Sequence, residues 1–304
     1  MTHSLRGSEV RRLPDEAAPG VADTRLLPND AFAAAWSAIV LPDGMKQRLL
    51  RTAVAEAHLR AAVPFDALPL HGVILLTGKP GVGKTTMARG LANQVARTIP
   101  TASEWLFVEV DPHSLASSSL GRSQRAVEQL FGTLLHEHAA VGPMIVLLDE
   151  VETLFTDRAA LSMEANPIDV HRAVDAALVG LDRLARRHPQ MLILATTNFS
   201  DALDPALASR ADWIVEVPLP DRAARRQILE LTAAAVAAAF PGASRLLEPA
   251  LLDAAAKDSE GLDGRRLRKA VAAACAYRPE VQGDPDRVTG QDLLAVLRDE
   301  GGHR

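Results

Sequence analysis

The sequence predicts an α/β fold: a five-stranded parallel sheet covered by helices, followed by a small all-helical domain. Three observations carry the prediction. Between Val73 and Val217 short apolar runs alternate with helix-length segments, the pattern of a parallel sheet buried on both faces. A glycine-rich loop joins the first apolar run to its helix. After Asp221 the apolar runs stop and only helical spacing is left. A chain of 304 residues is long enough for two domains. With 48% hydrophobic against 23% charged residues it has the composition of a folded globular chain, not of a disordered one.

Residues 1–29 read as a flexible lead-in, with mixed charge, three prolines (Pro14, Pro19, Pro28) and no apolar period. The large domain is expected over 30–220. It opens on two linker helices, Ala31 to Trp36 and a longer one begun by Pro42, whose Met45, Leu49, Leu50, Val54 and Ala57 share a face. Val73 to Leu76 is the first strand, and the helix after its loop runs from Thr85 to Ala96. Strands are expected at Trp105–Val110, Met144–Leu148, Met191–Ala195 and Trp213–Val217, with a helix near Arg122 to Glu137. Val217-Pro218-Leu219-Pro220-Asp221 marks the boundary. The small domain, 221–304, is expected as four helices: Arg222–Ala239, Glu248–Ala256, Gly264–Tyr277 and Thr289–Asp299.

Composition excludes several functions. No run of 18 apolar residues exists, so no transmembrane helix is expected, and Met1 to Pro14 carries no apolar core of a secretory signal. The single cysteine, Cys275, excludes a disulfide within the chain and a cysteine-cluster zinc site, and is expected in a helix core. A cytoplasmic setting is expected, without a membrane partner. The net charge of −5 speaks against a protein built to grip nucleic acid. His136-Glu137-His138-Ala139-Ala140 lacks the second histidine that a zinc-binding H-E-x-x-H helix needs.

The chemistry begins at Gly78-Lys79-Pro80-Gly81-Val82-Gly83-Lys84-Thr85, a full G-x-x-x-x-G-K-[ST] match between a strand and a helix. Its glycines let successive backbone N–H groups, up to Thr86, curl around phosphate oxygens at a helix N-terminus. Lys84 is expected on the β- and γ-phosphates of ATP and the Thr85 hydroxyl on Mg²⁺. Ile145-Val146-Leu147-Leu148-Asp149-Glu150 ends a buried strand with two acids. Such a strand end faces the ligand crevice of an open α/β sheet. Asp149 is expected to hold Mg²⁺ through water, and Glu150 to act as general base on the attacking water. Asn198, ending Ala195-Thr196-Thr197-Asn198, is the candidate to orient that water. Arg210 follows a short helix in Leu203 to Asp212; it reads either as an arginine acting on a neighbouring subunit's phosphate or as a surface partner of Asp212. Gly261 to Lys269 starts a helix with Arg265 in its first turn, where a cation opposes the helix dipole unless an anion is near. Arg266 and Arg268 read as a solvated basic face.

In this order the five segments resemble the AAA+ ATPases, as Walker A, Walker B, sensor one, arginine finger and sensor two, followed by a helical lid. The resemblance implies an AAA+ P-loop NTPase with a five-stranded parallel sheet. Phe32 to Trp36, Leu148 to Leu154, Asn166 to Val174, Ser209 to Asp212 and Gly261 to Lys269 are similar to the pachytene-checkpoint subfamily, the thyroid-receptor-interactor remodellers. That likeness implies an ATP-hydrolysing homo-hexamer that threads a peptide through its pore and opens a HORMA-domain protein. Bacterial relatives accompany HORMA proteins and cyclic-oligonucleotide synthases in anti-phage defence, and a basic content with only five Lys among 33 residues suits such a relative. Two departures stand out. About 30 residues ahead of the linker helices cannot build the adaptor-binding domain of eukaryotic members. The segment matching the pore loop, His113 to Gly121, has no aromatic; Ser119 and Leu120 lie at its expected tip. A second pore loop is expected within Asp157 to Asp169, with Met163 facing the channel. Two other classes stay open: a nucleic-acid motor or loader, and a slow ATP-gated scaffold.

Overall fold

The computed structural model describes residues 11–15, 17–42, 44–115, 122–155, 167–199 and 203–301. Four strands, β2 (Val73–Thr77), β3 (Trp105–Val110), β4 (Met144–Leu148) and β5 (Met191–Thr197), are buried along their whole length. That explains their unbroken apolar runs: both faces of the sheet are covered. On one face, alternate residues such as Leu106, Val108, Val146 and Ile193 pack with Phe131 and Leu135 and with Val174, Leu178 and Leu181 of α7 (Pro167–Arg187). On the other, Phe107 meets Phe32 of α1 (Asp30–Ala38) edge to face, ring centroids 4.9 Å apart. Strands β3, β4 and β5 pair in parallel, with Leu106 opposite Met144 and Met144 opposite Met191.

Among the described residues the sheet has six strands, in the order β1-β3-β4-β5-β2-β6, one more than the sequence predicts. The added strand, β1 (Val21–Leu27), falls inside the segment expected as a flexible lead-in and pairs antiparallel with β3. Its signature is faint for a physical reason. At the sheet edge only Thr24 and Leu27 of β1 are fully buried, and the half-buried Asp23 and Arg25 pair at 2.6 Å. A strand so placed tolerates mixed polarity and shows no apolar run. Upstream, the buried Arg11 guanidinium donates to the carbonyls of Glu104, His138, Gly142 and Pro143, tying the lead-in to the starts of β3 and β4. At the other edge β6 (Trp213–Glu216) is one residue shorter than expected and exposes Trp213 and Ile214.

The helix expected near 122–137 divides into α5 (Arg122–Gln129), a π-helical turn (Leu130–Leu134) and α6 (Leu135–Val141). The linker helices are α1 and α2 (Met45–Ala62), and α3 (Lys84–Thr98) follows the glycine-rich loop. Short α4 (Pro112–Leu115) leaves β3, and α8 (Pro205–Ala208) precedes β6.

The chain divides into two compact units. Ala35–Leu49, Thr77–Met87 and Glu216–Arg304 group together, and Leu50–Leu76 and Ala88–Val215 belong with the sheet. The second unit's core is helical: Leu229 of α9 (Arg222–Ala239), Leu252 of α10 (Pro249–Asp258), Leu267 and Val271 of α11 (Gly264–Ala274), Val281 of α12 (Pro279–Gln282) and Leu293 of α13 (Gly290–Gly301). Asp221 caps α9 by accepting from the Ala224 N–H at 2.8 Å. Cys275, expected deep in a helix core, is the C-cap of α11 and only partly buried. Among the described residues no helix is long and apolar enough to cross a membrane.

Candidate functional site

Within the second unit, Thr77 leads straight into the glycine-rich loop. Gly78, Gly81 and Gly83 take φ of 145°, 84° and 96°, values L side chains rarely adopt. Space requires glycine as well. A Cβ on Gly78 would lie 2.5 Å from the Val217 carbonyl oxygen, and one on Gly81 would lie 2.2 Å from Asp263 Oδ1. Asp263 in turn caps α11, accepting from the N–H groups of Arg265 at 2.8 Å and Arg266 at 3.0 Å. The Arg265 N–H also reaches the Gly81 carbonyl at 3.3 Å. The loop and the start of α11 are thus fitted to one another through a glycine.

Lys84 opens α3. Its side chain is buried, and Nζ donates to the carbonyls of Gly78 at 2.7 Å and Lys79 at 3.1 Å. Val82 is buried, Thr85 half-buried, and Pro80 and Thr86 exposed. Beside the loop a cavity of about 310 Å³ is lined by Ile39, Val40, Pro218, Ile228, Arg265 and Arg268, among others. Its apolar walls suit a planar heterocycle; the loop N–H groups and the Lys84 ammonium suit phosphates. Arg265 is exposed at the cavity edge. Arg266 pairs with Glu300 at 2.5 Å. Arg268 is exposed, and it also donates to the Gly264 and Ala38 carbonyls and lines the cavity.

Within the first unit, the end of β4 gathers the expected acids. Glu150 is the one non-glycine with positive φ among the described residues, at φ 51°, ψ 54°. This left-handed geometry costs an L residue free energy and turns the chain sharply at the strand end. Thr196 on β5 fixes the turn from across the sheet. Its hydroxyl donates to Asp149 Oδ1 at 2.5 Å and accepts from the Glu150 N–H at 3.1 Å. Asn198 Nδ2 donates to Glu150 Oε1 at 3.3 Å, and the Asn198 N–H to Glu152 Oε1 at 3.1 Å. His113 Nε2 lies 3.4 Å from Glu150 Oε2 and 3.4 Å from Thr153 Oγ1. Asn198, the candidate from sequence for orienting the attacking water, is thus in contact with Glu150. Thr196 and His113 are neighbours that sequence reasoning missed. Thr196 stood in the quoted Thr-Thr-Asn run, where strand alternation could have singled it out; His113 was read only as the start of a pore segment. The carboxylate of Asp149 in this unit, and separately the hydroxyl of Thr85 in the other, are each hard oxygen donors of the kind Mg²⁺ takes.

Arg210 follows α8, whose N-cap Asp204 accepts from the Ala206 N–H at 2.7 Å. Asp212, the partner expected from sequence proximity, is occupied elsewhere: it accepts from the N–H groups of His71, Gly72 and Val73 at 3.0, 2.6 and 3.0 Å. Arg210 instead binds Asp182 of α7 side-on, Nε to Oδ1 at 2.7 Å and Nη2 to Oδ2 at 2.8 Å. That hydrogen bond is the main cause holding the Asp182 carboxyl below the usual carboxylate range. Of the discounted motif, His136 Nδ1 lies 2.7 Å from His188 Nε2. Ser119, Leu120 and Met163, the expected pore residues, lie outside the described residues.

Residues 74–219 match the ATPase family associated with various cellular activities (AAA). The chain is 48% identical over 272 residues to CD-NTase-associated protein 6 of Pseudomonas aeruginosa, covering 90% of this chain and 89% of that protein. It is 32% identical over 276 residues to an Arabidopsis thaliana pachytene checkpoint protein 2 homolog, spanning 80% of this chain and 59% of that longer relative. Among solved structures, C. elegans PCH-2 superposes with a TM-score of 0.74 at 26% identity, over 92% of this chain and 76% of that one. A chain of an E. coli HORMA:CdnC:Trip13 complex shares the fold with a TM-score of 0.72 at 19% identity, over 92% and 95%.

Proposed function

The chain belongs to the AAA ATPases, and from that premise we propose that it is an ATP-driven remodeller, assembled as a homo-hexamer, that opens a HORMA-domain protein in a system containing a CD-NTase. The observation that carries the choice of system is the similarity, along nearly its whole length, to a protein named for association with a CD-NTase; the choice of client is supported by the fold shared with a chain of a HORMA:CdnC:Trip13 complex. The backbone amides of Gly78 to Thr86 and the Lys84 ammonium hold the phosphates of ATP, and the cavity beside them takes the base. The Thr85 hydroxyl, and Asp149 through water, would hold Mg²⁺, which would neutralise phosphate charge. Glu150 takes a proton from the attacking water as the water oxygen bonds to the γ-phosphorus and the bond to the ADP oxygen breaks. Asn198 orients that water, and Thr196 keeps Asp149 and the Glu150 backbone in register. Arg210 acts on the neighbouring subunit's phosphate, and Arg265 carries the state of the γ-phosphate to the helical domain.

Ser119 and Leu120 are the proposed contacts to the client peptide. With no aromatic in that segment, the work proposed is the opening of one client segment, not processive unfolding. The test is steady-state ATP turnover with added protein or DNA. Stimulation by a HORMA-domain protein and none by duplex DNA supports the reading. Stimulation by DNA alone would make the chain a nucleic-acid motor. Turnover that no partner raises would make it an ATP-gated scaffold.

A further inference from the structure

We propose that Asp182 is the positioning residue of Arg210: it orients the guanidinium for the neighbouring subunit's phosphate and does not sequester it. The inference rests on the trans-acting role given to Arg210 above and adds the residue that makes that role geometrically defined.

The donor inventory supports orientation. A guanidinium carries five N–H groups, of which Asp182 takes one on Nε and one on Nη2, and the Ala206 carbonyl takes one on Nη1 at 2.8 Å. One N–H is left on each terminal nitrogen, a pair matched to two oxygens of one phosphate. The arginine borders a hollow of about 310 Å³ shared with Phe65, Pro69, His71 and Arg186, so an incoming anion has room to reach those donors. A long flexible side chain acting across an interface loses rotamer entropy on each engagement. Clamping it beforehand on a carboxylate and a carbonyl removes most of that cost.

Asp182 is itself braced. His71 Nε2 lies 3.2 Å from the same Oδ1 that receives Arg210 Nε. The His71 ring packs edge-on to Phe65, 5.3 Å between centroids, and the Arg186 guanidinium covers the Phe65 ring at 4.3 Å. Asp182 stands on α7, 28 positions before Arg210, so the clamp joins a long core helix to the short segment bearing the arginine.

The experiment uses the full chain and measures ATP turnover of Asp182→Ala, Arg210→Ala, Lys84→Ala and the Asp182/Arg210 double variant, alone and in mixtures. Asp182→Ala is expected to lower kcat about 10- to 100-fold, the cost of a misplaced catalytic group, with KM within about twofold. The double variant should be no slower than Arg210→Ala. Mixed with Lys84→Ala, Asp182→Ala should recover activity, as Arg210→Ala does; mixed with Arg210→Ala it should not. Asp182→Asn keeps the side-chain volume and should show the same pairing pattern with a smaller loss, which covers the case of an alanine variant that does not fold. Unchanged kcat in the folded Asp182 variants beside a slow Arg210→Ala would overturn the proposal and leave the finger role intact. Failure of Arg210→Ala and Lys84→Ala to complement each other would instead remove the finger role, and this proposal with it.

Discussion

The Thr196 hydroxyl donates to Asp149 at 2.5 Å and, through the same oxygen, accepts from the Glu150 N–H at 3.1 Å. One side chain on β5 thereby sets both acids at the end of β4. Thr196→Val preserves the shape and removes both bonds. Turnover is expected to fall about 10- to 100-fold, the usual effect of losing a partner that orients a catalytic or metal-binding carboxylate. Thr196→Ser should restore most of it. Single-turnover hydrolysis at saturating ATP checks both.

Gly81 faces Asp263 with no room for a side chain. Gly81→Ala forces a Cβ into the carboxylate that caps α11 and into a φ of 84°. The strained backbone and the disturbed cap together should cost about 1–3 kcal/mol of stability. Nucleotide affinity should fall with it, since the same loop is the one proposed to hold the phosphates. Calorimetric titration and a melting curve separate the two effects.

Mixing Arg210→Ala with Lys84→Ala subunits tests whether the arginine works across an interface. Each variant alone should lose nearly all turnover, because a trans-acting arginine contributes about 10³- to 10⁵-fold in related phosphoryl-transfer sites. The mixture should regain part of the wild-type rate. Recovery is measured by steady-state ATPase after subunit exchange.

A pH effect on stability follows from Glu56. This carboxyl is buried, accepts from Trp213 Nε1 at 2.8 Å, and lies beside Asp212. Burial first, and the Asp212 charge second, raise its pKa from 4.5 to about 7, with Arg60 opposing. Between those values the folded chain holds the proton and the unfolded chain does not. The contribution is therefore full below pH 4.5 and is lost as pH rises through about 7. Tm should fall between about pH 4.5 and 7 and level off above that, by roughly 2–4 °C for each kcal/mol lost. Glu56→Gln should flatten that slope.

What was legible in the sequence was local. The phosphate loop is eight consecutive residues between a buried strand and a helix, and each requirement is met within reach of its neighbours. The interior strands were legible because both faces are buried and apolarity is continuous. β1 was not, because an edge strand with two buried residues has no such run. Asp182 was not, because only folding brings it to Arg210, while the nearer Asp212 is taken up by three backbone N–H groups. The π-helical turn inside the expected helix 122–137 keeps helical spacing on either side, so periodicity alone could not reveal it.

In the proposed cycle Glu150 activates the water that hydrolyses the ATP committing the protein to its client. The most direct measurement is capture by Glu150→Gln, with ATP or with ADP, followed by mass spectrometry. The variant should bind ATP yet hydrolyse it about 10²- to 10⁴-fold more slowly. It should retain a HORMA-domain protein with ATP and release it with ADP. Normal turnover in that variant, or capture that ignores the nucleotide, would contradict the account.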